Sequence, residues 1–254
     1  MLKSMKADLL QVNIYENRNE MGKAAAIDIS AAIKKVLAEK ECCNMIFAAA
    51  PSQNEVLAAV AGDESIDFTR VNAFHMDEYI GLPGTAPQAF GNFLRRAIFE
   101  KAPFGSVHYI DGNAADIEAE CARYTALLQQ YPTDIVVLGI GENGHVAFND
   151  PPVADFADKV LIKPVPLDPV CRQQQVNDGC FASIDLVPTH ALTLTVPALM
   201  RGKELFCVVP APTKANAVEA TVKGPIGEAC PATAMRNHPA VTLYLDPDSA
   251  AKLT

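Results

Sequence analysis

The sequence predicts an α/β fold: a single Rossmann-like domain with a mostly parallel sheet, helices on both faces and a lid-like insertion. Three observations carry that expectation. Short, wholly apolar runs recur along the chain, the pattern of strands covered on both faces. Segments with apolar residues at helical period separate those runs. The 254 residues, 50% hydrophobic and 20% charged, suffice for one large core and argue against disorder.

Residues 9–15 read as an opening strand. Residues 19–40 carry Met21, Ala25, Ile29, Ile33 and Val36-Leu37 near helical period. Residues 44–50 (NMIFAAA) form a fully apolar strand, and Pro51-Ser52 opens a helix with Ser52 as its cap. A strand over 71–74, a helix over 90–101, a strand over 107–110 and a helix over 114–130 follow. Residues 134–140 (DIVVLGI) make the clearest buried strand. Strands over 191–196, 204–209 and 241–245, with a helix over 213–223, complete the alternation expected of a parallel sheet. Residues 151–188 interrupt it: they are proline-rich and hold one short helix, within 168–181. No repeat, low-complexity tract or linker divides the chain, so residues 1–254 are expected to form one domain, with 151–188 as a lid or insertion near the site.

Charge and composition exclude several functions. The chain has 21 Lys+Arg against 30 Asp+Glu, a net charge of −9 without a basic stripe, so no nucleic-acid partner is expected. No apolar stretch approaches membrane-spanning length, and residues 1–15 lack the apolar run of a signal peptide. Seven dispersed cysteines, at 42, 43, 121, 171, 180, 207 and 230, read as reduced thiols of a cytoplasmic protein. No His-Cys-carboxylate spacing fits zinc, so neither metal nor cofactor is expected. Homo-oligomerisation is left open.

In open parallel sheets, ligands bind beyond the carboxyl ends of the strands. The richest such segment is 139–150 (GIGENGHVAFND), with Gly141 and Gly144 allowing close backbone approach and with Asn143, His145, Asn149 and Asp150 poor material for a core. Its match to Gly-x-Gly-x-x-Gly lacks the later acid in a strand context that a dinucleotide would need. An imidazole beside a carboxylate on a loop is instead placed to move protons near neutral pH. The segment 74–83 (FHMDEYIGLP) sets Asp77 and Glu78 just past a strand. One can be desolvated and act as a base while its neighbour caps a helix; the structural alternative is that both cap the next helix. Lys214 and Ser52 stand at helix starts and Arg172 carries a bidentate fork, three contacts for an anion such as phosphate. Together these groups suit proton transfer on a small phosphorylated molecule.

Segments 74–83 and 138–151 (LGIGENGHVAFNDP) resemble the two signature segments of glucosamine-6-phosphate deaminases, within the 6-phosphogluconolactonase superfamily, and the Lys214 helix start is similar to a third. The resemblance spans roughly residues 19–247. It implies conversion of glucosamine 6-phosphate and water to fructose 6-phosphate and ammonia. It also implies that His145 assists opening of the pyranose ring, with Asn143 and Asp150 standing where relatives have its acidic partners. Asp77 would then move a proton from C2 to C1. Three departures stand out. Asn143 replaces a common Asp and Asp150 a usual Glu. Residues 49–53 (AAPSQ) replace a Thr-Gly-Gly-Thr-Pro-like phosphate loop and keep only the Ser52 hydroxyl, while Pro51 lacks a donor N–H. Residues 154–158 lack the basic stretch of allosteric members, so N-acetylglucosamine 6-phosphate is not expected to activate. The alternatives are a deaminase for another amino-sugar phosphate such as galactosamine 6-phosphate, a 6-phosphogluconolactonase and a non-catalytic sugar-phosphate sensor.

Overall fold

A computed structural model of the chain describes residues 1–253. Eight strands form the main sheet in the order β1 (Lys3–Ala7), β2 (Leu10–Ile14), β11 (Val241–Leu245), β10 (Glu204–Val209), β7 (Ile135–Leu138), β3 (Cys43–Phe47), β4 (Val71–His75) and β6 (Ser106–His108). Seven of these strands run parallel, and β1 closes one edge as the antiparallel arm of a hairpin with β2. A second, three-stranded antiparallel sheet is ordered β5 (Asp77–Tyr79), β9 (His190–Leu194), β8 (Ile162–Pro166).

Strand alternation divides the core in two. Ile46, Val136, Leu138, Leu205, Cys207 and Leu243 face one side, against Tyr124 and Leu128 of α4 (Ile117–Gln130), Leu199 of α6 (Val196–Leu199) and Val218 of α7 (Ala215–Lys223). Met45, Phe47, Ile135, Val137, Phe206 and Tyr244 face the other. There they pack on Met21, Ile29 and Ile33 of α1 (Arg18–Glu39), Val56 and Val60 of α2 (Asn54–Ala61), and Leu94 of α3 (Phe90–Leu94). This doubly covered parallel sheet is the expected fold class. No helix among the described residues is long and apolar enough to cross a membrane.

Several local expectations are corrected. The strand expected over 191–196 is β9, which ends at Leu194 and lies in the small antiparallel sheet, paired with β5 and β8 rather than with the parallel core, while Thr195 caps α6. The segment 151–188 carries β8 as well as α5 (Pro169–Asn177); two prolines within β8 masked the strand pattern. Ser52 does not cap a helix with its side chain: Pro51–Gln53 forms a 3₁₀ turn, and neither it nor α2 has a side-chain cap bond.

Candidate active site

The chain runs outward from β3 to β4 and β6, then returns to set β7 on the opposite flank of β3 before adding β10 and β11. That reversal opens a crevice beyond the carboxyl ends of β3 and β7, where ligands bind in such sheets. The cleft there holds ≈ 490 Å³ of empty space, including its open mouth. Ser52 and Gln53 reach it from the β3 loop, Asp77 from β5, Gly141 and His145 from the β7 loop, Gln174 and Gln175 from α5, and Lys214 from the turn before α7. Segments distant in sequence thus supply one concave wall.

His145 is held from below. Its Nδ1 lies 2.7 Å from the Asn143 Oδ1 and 2.9 Å from the Asp150 Oδ1. Two acceptors at that nitrogen place the ring proton on Nδ1 and leave Nε2 as the proton-accepting atom. Asn143 completes the triangle by donating from Nδ2 to the same Asp150 oxygen at 2.9 Å, and its Oδ1 also accepts the His145 N–H at 3.1 Å. Burial by itself would raise the Asp150 carboxyl, but the His145 and Asn143 side chains and the Asp168 N–H outweigh it and hold the group below its ordinary value. Gly141 makes this packing possible, since a Cβ there would fall 2.1–2.3 Å from the His145 ring atoms. Gly144 does not line the cleft. It turns at φ +84°, and a Cβ would meet the Cys230 Sγ at 2.6 Å.

Asp77 is buried, and its Oδ1 finds no hydrogen-bond partner among the described residues. Desolvation, reinforced by the charge of Glu78, pushes its carboxyl well above the usual range. Its backbone is fixed by His75, which the sequence reading did not single out. The His75 Nε2 accepts the Ile110 N–H at 2.9 Å, so Nδ1 carries the proton and donates to the Asp77 carbonyl at 2.8 Å. Strand β9 joins the two halves of the site. Leu194 donates to the Met76 carbonyl at 2.8 Å, Thr193 Oγ1 accepts the Phe148 N–H at 3.0 Å, and Asn149 Nδ2 donates to the Leu194 carbonyl at 2.8 Å.

The remaining sequence candidates divide. Lys214 lines the cleft, buried, and its ammonium makes no hydrogen bond or ion pair among the described residues; desolvation lowers its pKa. It follows Ala211, which sits at φ +85°, a region costly for a residue with a side chain. Ser52 lines the cleft and accepts from Gln53 Nε2 at 3.0 Å. Arg172 does not reach the cleft. Its Nη2 donates to the carbonyls of Ile184 (2.7 Å) and Val187 (2.8 Å), pinning α5 to the following turn. Helical spacing explains this: Cys171, Gln174 and Gln175 share one face at i, i+3 and i+4, and Arg172 lies off it. That spacing was the available signal for Gln174 and Gln175. Glu78 also faces elsewhere, lining a separate cavity beside Tyr109 and Arg95.

One cluster of metal-ligand type occurs among the described residues: His145, Asp150 and Cys171 each offer an atom within 4.8 Å of the others. Cys171 lies too far along the chain from His145 and Asp150 for spacing to reveal this meeting.

A family model described as glucosamine-6-phosphate isomerases/6-phosphogluconolactonase matches residues 16–163. A glucosamine-6-phosphate deaminase of Listeria welshimeri is 36% identical over 210 residues, covering 83% of this chain and 88% of that protein. One from Lactobacillus delbrueckii subsp. bulgaricus is 30% identical over 246 residues, covering 96% and 100%. The structure of a monomeric glucosamine-6-phosphate deaminase superposes with a TM-score of 0.86 at 29% identity, covering 97% of this chain and 99% of that one. A 6-phosphogluconolactonase from Thermotoga maritima shares the fold, with a TM-score of 0.76 at 20% identity, covering 93% of this chain and 99% of that one.

Proposed function

The chain belongs to the glucosamine-6-phosphate isomerase/6-phosphogluconolactonase family, and we propose that it converts glucosamine 6-phosphate and water into fructose 6-phosphate and ammonia. The observation that carries this reading is the pairing of groups in one cleft: an unpartnered, buried carboxyl at Asp77 and a histidine whose proton-accepting nitrogen is left free by Asn143 and Asp150. Two proton-transfer groups with separate environments suit a reaction that moves protons at two places on one substrate.

Lys214 and Ser52 hold the phosphate. His145 moves the proton at the ring oxygen, which frees C1 as an aldehyde and makes the C2 hydrogen acidic. Asp77 takes that proton, leaving an enolamine, and returns it at C1. Water then adds to the C2 imine and ammonia departs. Gln53, Gln174 and Gln175 line the same cleft and contact the substrate's polar groups. Gly141 acts by making room for the ring of His145. Residues 151–188 bring α5 to the cleft, and closure of this segment over substrate is part of the proposal. The seven free thiols suit a reducing, cytoplasmic compartment.

A second reading, turnover of another amino-sugar phosphate such as galactosamine 6-phosphate, draws support from the anion end of the cleft. There Pro51 offers no N–H, Arg172 is turned away, and among the described residues Lys214 alone supplies a fixed cation.

The test is ammonia release from glucosamine 6-phosphate by wild type and Asp77→Asn, with binding followed in parallel. Loss of turnover by a factor of about 10² to 10⁴ with binding retained is expected. Binding without turnover in wild type would turn the reading to a sensor. Turnover of the galacto epimer alone would move the substrate.

A further inference from the structure

We propose that His145, Asp150 and Cys171 form an inhibitory site for a thiophilic divalent cation, with Zn²⁺ as the physiological type and Cd²⁺ as a spectroscopic stand-in. The three side chains are buried, and one ligand atom from each lies within 4.8 Å of the others. A nitrogen, a carboxylate oxygen and a sulfur make a donor set suited to zinc, with a fourth position left for water. Cys171 takes no part in the reaction proposed above, yet it faces this corner from α5.

Charge favours occupancy. A divalent cation bound by the Asp150 carboxylate, a Cys171 thiolate and neutral His145 is electrically balanced, so burial leaves no uncompensated charge. The thiol loses its proton to solvent as the metal–sulfur bond forms, the imidazole proton moves through solvent from Nδ1 to Nε2 so that Nδ1 can take the metal beside the Asp150 oxygen, and the cation drives both changes. The outer shell is already built. Asn143 Nδ2 donates to one Asp150 oxygen, and the Asp168 N–H at the head of α5 to the other. The Glu142 N–H donates to Gln174 Oε1 at 2.8 Å, tying the histidine loop to the cysteine helix. The His145 Nδ1 and the Asp150 Oδ1, 2.9 Å apart, have to part slightly, and no ligand atom lies more than 4.8 Å from another, so shifts of roughly an ångström give metal–ligand distances near 2.0–2.3 Å. Entry runs through the cleft, which His145 lines.

Binding there replaces the proton economy of His145 with a metal bond, so ring opening stops. This inhibitory half rests on the proposed deaminase reaction; metal binding itself does not.

The experiment titrates the purified chain with Cd²⁺ and follows the near-ultraviolet cadmium–thiolate absorption, comparing wild type with Cys171→Ser and Cys171→Ala. In parallel, Zn²⁺ inhibition of ammonia release is measured with and without chelator. Loss of one tight thiolate site in both variants and at least a 10-fold weaker, chelator-reversible inhibition are expected. Thermal melts identify a variant that fails to fold, for which the other substitution decides. Wild-type absorption unchanged by either substitution overturns the site. Cadmium binding at Cys171 without Zn²⁺ inhibition of an active enzyme overturns the inhibitory role. A chain with no deaminase activity that still binds cadmium through Cys171 overturns the function and leaves the metal site standing.

Discussion

Asp77 and Glu78 are neighbours on β5 and face opposite ways: Asp77 lines the cleft beyond the parallel sheet, while Glu78 accepts three backbone N–H groups behind it. The N–H groups are those of Tyr79 (2.9 Å), Phe90 (3.0 Å) and Gly91 (2.9 Å), so Glu78 joins the strand of one carboxylate to the start of α3. The period of two in a strand separates their roles.

Glu78→Ala is therefore expected to act on stability. It leaves buried donors at the head of α3 unmet and lowers unfolding free energy by about 2–4 kcal/mol. Asp77→Asn removes a buried carboxyl that lacks a partner and is expected to leave stability unchanged or raised. Urea unfolding of the two variants checks the contrast; equal losses would sink it.

His75 supplies a pH dependence. Burial, opposed by the Asp77 carbonyl and Glu120, pushes its pKa down to about 4. Unfolding returns it to about 6.5, so between those values the unfolded chain binds a proton that the folded chain refuses. Stability falls as pH drops across that window, by about 3 kcal/mol in all. His75→Gln is expected to flatten this slope and to lower kcat through the looser Asp77 backbone. Unfolding followed from about pH 7 to about pH 4 checks the sign; an equally steep slope in the variant would refute it.

Asn143→Ala removes one of two acceptors at the His145 Nδ1 and one donor to Asp150. Asp150 still holds the ring, so kcat is expected to fall about 10-fold or somewhat more, short of the loss from removing the acid–base group itself. Substrate KM should stay within about twofold. A loss confined to KM would contradict an orienting role.

Lys214→Met deletes the one fixed cation that the described residues bring to the cleft. Charge-assisted hydrogen bonds contribute about 1.5–3 kcal/mol, so KM for the sugar phosphate is expected to rise roughly 10- to 100-fold with kcat largely kept. Steady-state kinetics decide it, and an unchanged KM would place the phosphate elsewhere. Arg172→Met is expected to leave KM near wild type and to lower stability, since its guanidinium holds two backbone carbonyls.

The doubly covered sheet was legible because apolar runs such as residues 134–140 state their burial directly. The β7 loop was legible because glycines and a polar cluster after a buried strand have few other uses. Local pattern therefore determined the fold class and singled out Asp77, Asn143, His145, Asp150, Ser52 and Lys214 as candidates. Tertiary structure alone decided which of the two adjacent carboxylates faces the cleft, since that depends on how β5 pairs with β9. It decided that Arg172 turns away while Gln174 and Gln175 turn in, because helix rotation is set by packing across α5. It also set Cys171 beside His145 and Asp150, a meeting that follows from folding residues 151–188 back over the sheet. Residue type and period are local quantities; orientation and convergence are fixed by contacts between segments far apart in the chain.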